Sequence, residues 1–119
     1  MTQPLHVLLV EAAPISADSL EPRLKRSGYR TSLARSADSA LETAQADPPD
    51  LIVLDVGASD LDGHKACREL KLRSPTLPVI MYAEPSNALS QNDCGADEFV
   101  LKPADPALVM QKIVQLLGR

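Results

Sequence analysis

Short apolar runs alternate with longer amphipathic stretches along the whole chain. Apolar runs this short are typical of strands rather than of buried helices. The first and third runs, HVLLV and LIVL, are almost continuously apolar, which predicts central strands that are covered on both faces. The five predicted strands are His6–Val10, Thr31–Ala34, Leu51–Leu54, Val79–Tyr82 and Glu98–Leu101.

The stretches between these strands carry signals that start and stop helices. A first helix is predicted over about Ile15–Ser27, with Gly28 as its stop. Pro22 lies inside this segment and lacks a backbone N–H, so it predicts a bend or an irregular turn there. Ser36 is a predicted N-cap for a second helix, which ends before the pair Pro48-Pro49.

The sequence of the second half of the chain predicts three further helices. One runs from Gly63 to about Leu72, and a short one lies between the fourth and fifth strands, where Pro85 occurs. The last begins with Asp105 as N-cap and Pro106 at the first helical position. Its apolar positions share one side of the helix; they are Val109, Ile113, Leu116 and Leu117.

Five strands that alternate with five helices predict an α/β fold in which a parallel sheet is covered by helices on both faces. Because the first and third strands are the most apolar, they are expected at the centre. This favours a doubly wound, flavodoxin-like sheet of order 2-1-3-4-5. No internal repeat or linker is present, so residues 1–119 are predicted to form one domain.

Composition narrows the functional classes. The net charge of −4 gives the domain no general attraction to nucleic acid, so direct nucleic-acid binding is not expected. No apolar run approaches the roughly 20 residues that span a bilayer, and no charged-then-apolar leader is present. Cys67 and Cys94 are far apart and are interpreted as two reduced thiols. A cytoplasmic location away from membranes is therefore predicted, and the absence of glycine-rich phosphate loops argues against a nucleotide cofactor.

Chemistry is expected where the strands end, because ligands of such sheets bind outside the carboxyl ends of the central strands. Glu11 follows the first strand, Asp55 the third and Lys102 the fifth. Two neighbouring carboxylates repel each other, and a hard cation such as Mg²⁺ relieves that repulsion. A carboxylate beside a cation and a lysine can act as a nucleophile toward a phosphoryl group.

Four segments together resemble the receiver domain of two-component response regulators. They are LLVEAAP after the first strand, DLIVLDVGASDLDG around Asp55, PVIMYAE at the fourth strand and GADEFVLKP ending in Lys102. The resemblance implies that Asp55 is the phosphoacceptor and that Lys102 contacts the phosphoryl group. It further implies that the Gly57 carbonyl helps Glu11 and Asp55 to hold Mg²⁺, and that the rotamer of Phe99 reports the state of the switch.

The chain departs from the receiver pattern in three places. Ala12 stands where the family usually has a second acidic residue that ligates the metal, so Mg²⁺ binding is expected to be weak. Ala83 stands at a switch position where the family has Thr or Ser, and it has no hydroxyl to bond a phosphoryl oxygen. The segment between Ala83 and Gly95 is shorter than in the family by about one helical turn. These departures indicate an atypical member.

Two functions stay open at this point. In the first, a histidine kinase or a phosphotransfer protein phosphorylates Asp55, and the domain, which is not an enzyme, relays the signal to a downstream protein or output domain. In the second, the chain is a pseudo-receiver that binds proteins independently of phosphorylation. The resemblance places the partner surface, and a homodimer if one forms, on the fourth and fifth predicted helices.

Two other motif matches are weaker. Asp60-Leu61-Asp62-Gly63 matches the D-x-D-G of haloacid-dehalogenase-like phosphatases, but it begins five residues after the predicted strand ends at Asp55. If the motif is counted from Asp55 instead, Gly57 stands where that chemistry needs an acid. Asp62-Gly63-His64 resembles the start of a cobalamin-binding motif, but Cys67 occupies the position of its glycine.

Overall fold

Five strands form one parallel sheet in the order β2-β1-β3-β4-β5, as the sequence predicts. The computed structural model describes residues 4–11, 20–56, 63–83, 95–101 and 105–118. The strands are β1 (His6–Glu11), β2 (Arg30–Ala34), β3 (Leu51–Val56), β4 (Val79–Ala83) and β5 (Glu98–Leu101). Each contains the apolar run that predicted it, extended by at most two residues at its ends.

The described ranges contain four helices, which are α1 (Leu20–Arg26), α2 (Ala37–Ala46), α3 (Gly63–Arg73) and α4 (Pro106–Leu117). The ends of α1 and α3 each differ by one residue from the predicted ends. The predicted start of the first helix and the whole predicted helix between β4 and β5 fall outside the described residues. Pro22, where a bend is predicted, lies within α1. None of the described helices is both long and apolar enough to cross a membrane.

The predicted N-caps of α2 and α4 are confirmed. The Ser36 side chain accepts a hydrogen bond from the Ser39 backbone N–H at 3.1 Å, at the start of α2. Asp105 accepts one from the Ala107 N–H at 2.9 Å, at the start of α4. Gly28 follows α1 with φ of +89°, the left-handed conformation in which a residue without Cβ is least strained.

The core consists of two layers, one on each face of the sheet. Side chains of α2 and α3 cover one face, and those of α1 and α4 cover the other. Successive strand residues point to opposite faces, so Leu8 and Val10 of β1 lie in the α2/α3 layer, while Val7 and Leu9 lie in the α1/α4 layer. The same alternation determines the face on which Glu11 of β1 and Asp55 of β3 lie.

Candidate functional site

Two carboxylate residues meet at the carboxyl end of the sheet. Glu11 is the last residue of β1 and pairs in register with Asp55 of the adjacent central strand β3. Val7 and Leu9 of β1 and Val53 of β3 all lie in the α1/α4 layer, and Glu11 and Asp55 continue the same alternation. The two acidic side chains therefore leave neighbouring strands on the same face of the sheet.

The two acidic residues of this pair differ in exposure. Glu11 is buried, with 8% of its surface exposed, and Asp55 is half-buried. Two carboxylates on neighbouring strands attract a cation or a cationic side chain to this edge of the sheet.

The pair fits the chemistry of a magnesium site only in part. Carboxylate oxygens are ligands that Mg²⁺ prefers, and this ion commonly binds through one or two carboxylates while keeping several waters. Within the described ranges, no group of three or more His, Cys, Asp or Glu residues is arranged to hold a metal ion. Glu11 and Asp55 could each offer a carboxylate oxygen to such an ion, and its remaining positions would then belong to a backbone carbonyl and water.

Two residues of the predicted site, Gly57 and Lys102, lie outside the described residues, so the predicted convergence of Lys102 with the carboxylates stays a prediction. Ala83 ends β4 and pairs in register with Val56. Phe99 pairs with Met81 and is half-buried against the α2/α3 layer, on the face opposite to Asp55.

Tyr82 is a neighbour of Asp55 that the motif analysis did not single out. It pairs in register with Asp55 on one side and with Val100 on the other. Tyr82 is 93% buried in the α1/α4 layer, with 7% of its surface exposed. The signal in the sequence was a single aromatic residue in an otherwise aliphatic run (VIMYA), but only the register places it beside Asp55.

A second polar cluster lies at the opposite end of the sheet, around His6. Its Nε2 is 2.7 Å from Ser32 Oγ, and its Nδ1 is 3.4 Å from the carbonyl oxygen of Pro48 and 4.0 Å from Asp47 Oδ1. The order Ser, His, Asp is that of a nucleophilic triad. However, His6 is only 2% exposed, so no substrate reaches it. Because a carbonyl oxygen can only accept, Nδ1 is the donor in the contact with Pro48.

Asp47, the acidic residue of this cluster, accepts hydrogen bonds from Arg30. Both guanidinium NH groups of Arg30 donate to the two carboxylate oxygens of Asp47, the longer bond being 2.9 Å. These hydrogen bonds hold the pKa of Asp47 below its ordinary value and raise that of Arg30. The cluster therefore ties β1, β2 and the end of α2 together and is structural.

Comparison with known proteins agrees with this geometry. Residues 7–114 match the family model of the response regulator receiver domain. The transcriptional regulatory protein CseB of Streptomyces coelicolor is 34% identical over 122 aligned positions, which cover 100% of this chain and 52% of CseB. The alkaline phosphatase synthesis transcriptional regulatory protein PhoP of Bacillus subtilis is 32% identical over 95% of this chain and 48% of PhoP. The chain thus spans about half the length of the curated relatives it matches.

A solved structure extends the likeness to the backbone. The signal receiver domain of a histidine kinase from Syntrophus aciditrophicus superposes with a TM-score of 0.83 at 32% sequence identity, covering 95% of this chain and 89% of that one. The sheet order, the acidic pair at its carboxyl edge and the match over residues 7–114 all agree. This chain belongs to the family of response regulator receiver domains of two-component signalling systems.

Proposed function

We propose that Asp55 is the residue that accepts a phosphoryl group in this receiver domain, from a phosphohistidine of a histidine kinase or a phosphotransfer protein. The observation that carries the proposal is the in-register pair of Glu11 and Asp55 at the carboxyl ends of the two central strands. Receiver domains generally act as signalling modules rather than enzymes and interact with histidine kinases and output domains. We therefore assign this chain no turnover of its own beyond the phosphoryl transfer.

The proposed transfer is a displacement at phosphorus. A carboxylate oxygen of Asp55 attacks the phosphorus atom, and the P–N bond to the histidine breaks. The electron pair of that bond stays on the imidazole nitrogen, which takes up a proton. The product is an acyl phosphate on Asp55, and Lys102 balances part of its added negative charge.

Receiver domains generally bind Mg²⁺ at the phosphorylation site. In this chain Glu11, Asp55 and the carbonyl of Gly57 would hold it, with water at the position that Ala12 leaves without a carboxylate. When bound, the ion supplies charge neutralisation of the phosphoryl oxygens. We expect a lower affinity than two adjacent acids after β1 would give.

The similar proteins indicate the kind of output that this domain controls. CseB and PhoP are transcriptional regulatory proteins, and the matched region is about half of each. By analogy we propose that this domain acts in the cytoplasm and relays its state to an output domain or a separate protein, through the surface formed by α4 and the predicted helix before β5. A homodimer through that surface is part of the same proposal.

A pseudo-receiver that binds proteins without phosphorylation is the second candidate. One feature favours it: Ala83 offers no hydroxyl to a phosphoryl group, so Phe99 lacks its usual coupling partner. This removes part of the usual link between phosphorylation and a change in conformation. It does not affect the ability of Asp55 to act as a nucleophile, which is why we favour the first function.

Incubation with acetyl phosphate and millimolar Mg²⁺, followed by intact-mass spectrometry, tests the proposal. We expect an acid-stable, base-labile adduct of one phosphate that Asp55→Asn abolishes. Asp38→Asn is the matched control, because Asp38 is an exposed acid in the first turn of α2. An adduct that persists in Asp55→Asn would place the acceptor elsewhere. The pseudo-receiver would be favoured if the wild type stays unmodified and its amide NMR spectrum does not change when beryllofluoride is added.

A further inference from the structure

We propose that the aromatic ring of Tyr82 forms one side of the phosphoacceptor pocket and limits the access of water to Asp55. This inference rests on the proposed function, because it concerns the lifetime of a phosphoryl group on that residue. Tyr82 is thus a positioning residue: it shapes the space around the reacting atoms.

The first step is the placement of the two residues in the sheet. Asp55 of β3 and Tyr82 of β4 are register partners on adjacent parallel strands. Their neighbours two positions earlier, Val53 and Ile80, also pair in register, and both side chains lie in the α1/α4 layer. Tyr82 lies in that layer as well, so the alternation of the strands brings the side chains of Asp55 and Tyr82 onto one face.

The second step is the distance that this placement allows. Adjacent strands lie about 4.8 Å apart, and side chains stand roughly perpendicular to the sheet. The register therefore brings the side chain of Asp55 beside that of Tyr82, whose ring lies in the α1/α4 layer. Glu11 occupies the same position on the other side of Asp55. Asp55 is thus flanked by a carboxyl group on β1 and by an aromatic ring on β4.

The third step is the chemistry that the ring affects. An acyl phosphate decays when water attacks phosphorus and the P–O bond to the carboxylate breaks. The carboxylate of Asp55 leaves with the electron pair, and a proton of the water passes to solvent as inorganic phosphate forms. A buried ring beside the carboxylate excludes water from one flank, and fewer productive approaches of water mean a longer-lived acyl phosphate.

The test compares decay rates after loading with acetyl phosphate and Mg²⁺ and rapid removal of the donor. Tyr82→Leu removes the ring but keeps an apolar side chain, and we expect its adduct to decay faster by on the order of threefold or more. Tyr82→Phe restores the ring and should recover the slow decay. Tyr29→Leu is the control, because Tyr29 precedes β2 at the far end of the sheet. Equal half-lives for wild type and Tyr82→Leu would overturn the inference.

A second readout separates this inference from the proposed function. Labelling of Asp55 by a water-soluble carbodiimide with glycinamide, followed by peptide mass spectrometry, reports access to the carboxylate without any phosphorylation. We expect faster labelling in Tyr82→Leu, with exposed Asp38 as the internal reference. If wild type forms no adduct, faster labelling supports the inference and unchanged labelling overturns it. Tyr82→Met replaces Tyr82→Leu in both assays if the latter does not fold.

Discussion

Replacement of Asp97 by Ala should destabilise the fold more than its exposed position suggests. The Asp97 side chain is 37% exposed, yet its Oδ2 accepts hydrogen bonds from the backbone N–H of Val79 at 2.8 Å and from Lys71 Nζ at 2.9 Å. The Asp97 N–H in turn donates to the Val79 carbonyl at 2.8 Å. At the start of the pairing between β4 and β5, the Val79 N–H therefore donates to the Asp97 carboxylate instead of to a backbone carbonyl of β5.

The magnitude follows from what each contact contributes. Val79 is fully buried, and a buried N–H that loses its acceptor costs about 1–3 kcal/mol. The ion pair with Lys71 adds about 0.2–1 kcal/mol, a low value because Asp97 is partly exposed and Lys71 still donates to the Leu77 carbonyl at 2.9 Å. Asp97→Ala should therefore cost roughly 2 kcal/mol, within a range of about 1–4. Asp97→Asn keeps a neutral acceptor for Val79 and should cost less.

Urea unfolding followed by circular dichroism measures this loss as a shift of the midpoint at constant slope. Glu98→Ala is the matched control: Glu98 is the next residue, it is also acidic, and it pairs with a helical lysine, Lys112, at 2.8 Å. This pair is a partly exposed ion pair between two side chains, so its loss should cost only about 0.2–1 kcal/mol. Equal shifts for Asp97→Ala and Glu98→Ala would refute the argument that the buried N–H of Val79 dominates.

Two further predictions concern the opposite end of the sheet and the end of α1. The pKa of Asp47 is lowered from 3.8 by its hydrogen bonds with Arg30, so the stabilisation is present above that value and is lost as the pH falls below it. The urea midpoints of wild type and Asp47→Asn should therefore differ at neutral pH and converge in acid; a difference that persists in strong acid would contradict the assignment. Gly28→Ala should cost about 1 kcal/mol, because φ is +89° and no atom lies within 4 Å of the added Cβ, so only backbone strain opposes it. Gly28→Asn should recover part of this loss in the same assay, and a fully stable Gly28→Ala would show that the left-handed conformation is not required.

The sequence alone predicted the elements that neighbouring residues specify. Apolar runs marked all five strands, and Ser36 and Asp105 marked the starts of α2 and α4, because a cap depends on residues two or three positions away. The order of strands also followed from the sequence, since the two most apolar runs require cover on both faces and therefore lie at the centre. Asp55 and Glu11 could be placed at one edge because parallel strands end on the same side.

Only the tertiary structure decided which side chains meet across the sheet. The same alternation that puts Leu9 in one layer and Leu8 in the other holds for any register, so the sequence could not show that Asp55 pairs with Tyr82. His6 could be read as one more strand residue, and its contacts with Ser32 and Pro48 come from chain segments 26 and 42 positions away. Asp97 could be read as a polar residue before a strand. The hydrogen-bond partners of His6 and Asp97 depend on how the layers pack and on which buried N–H groups need an acceptor. Neither can be predicted from the pattern of neighbouring residues in the sequence.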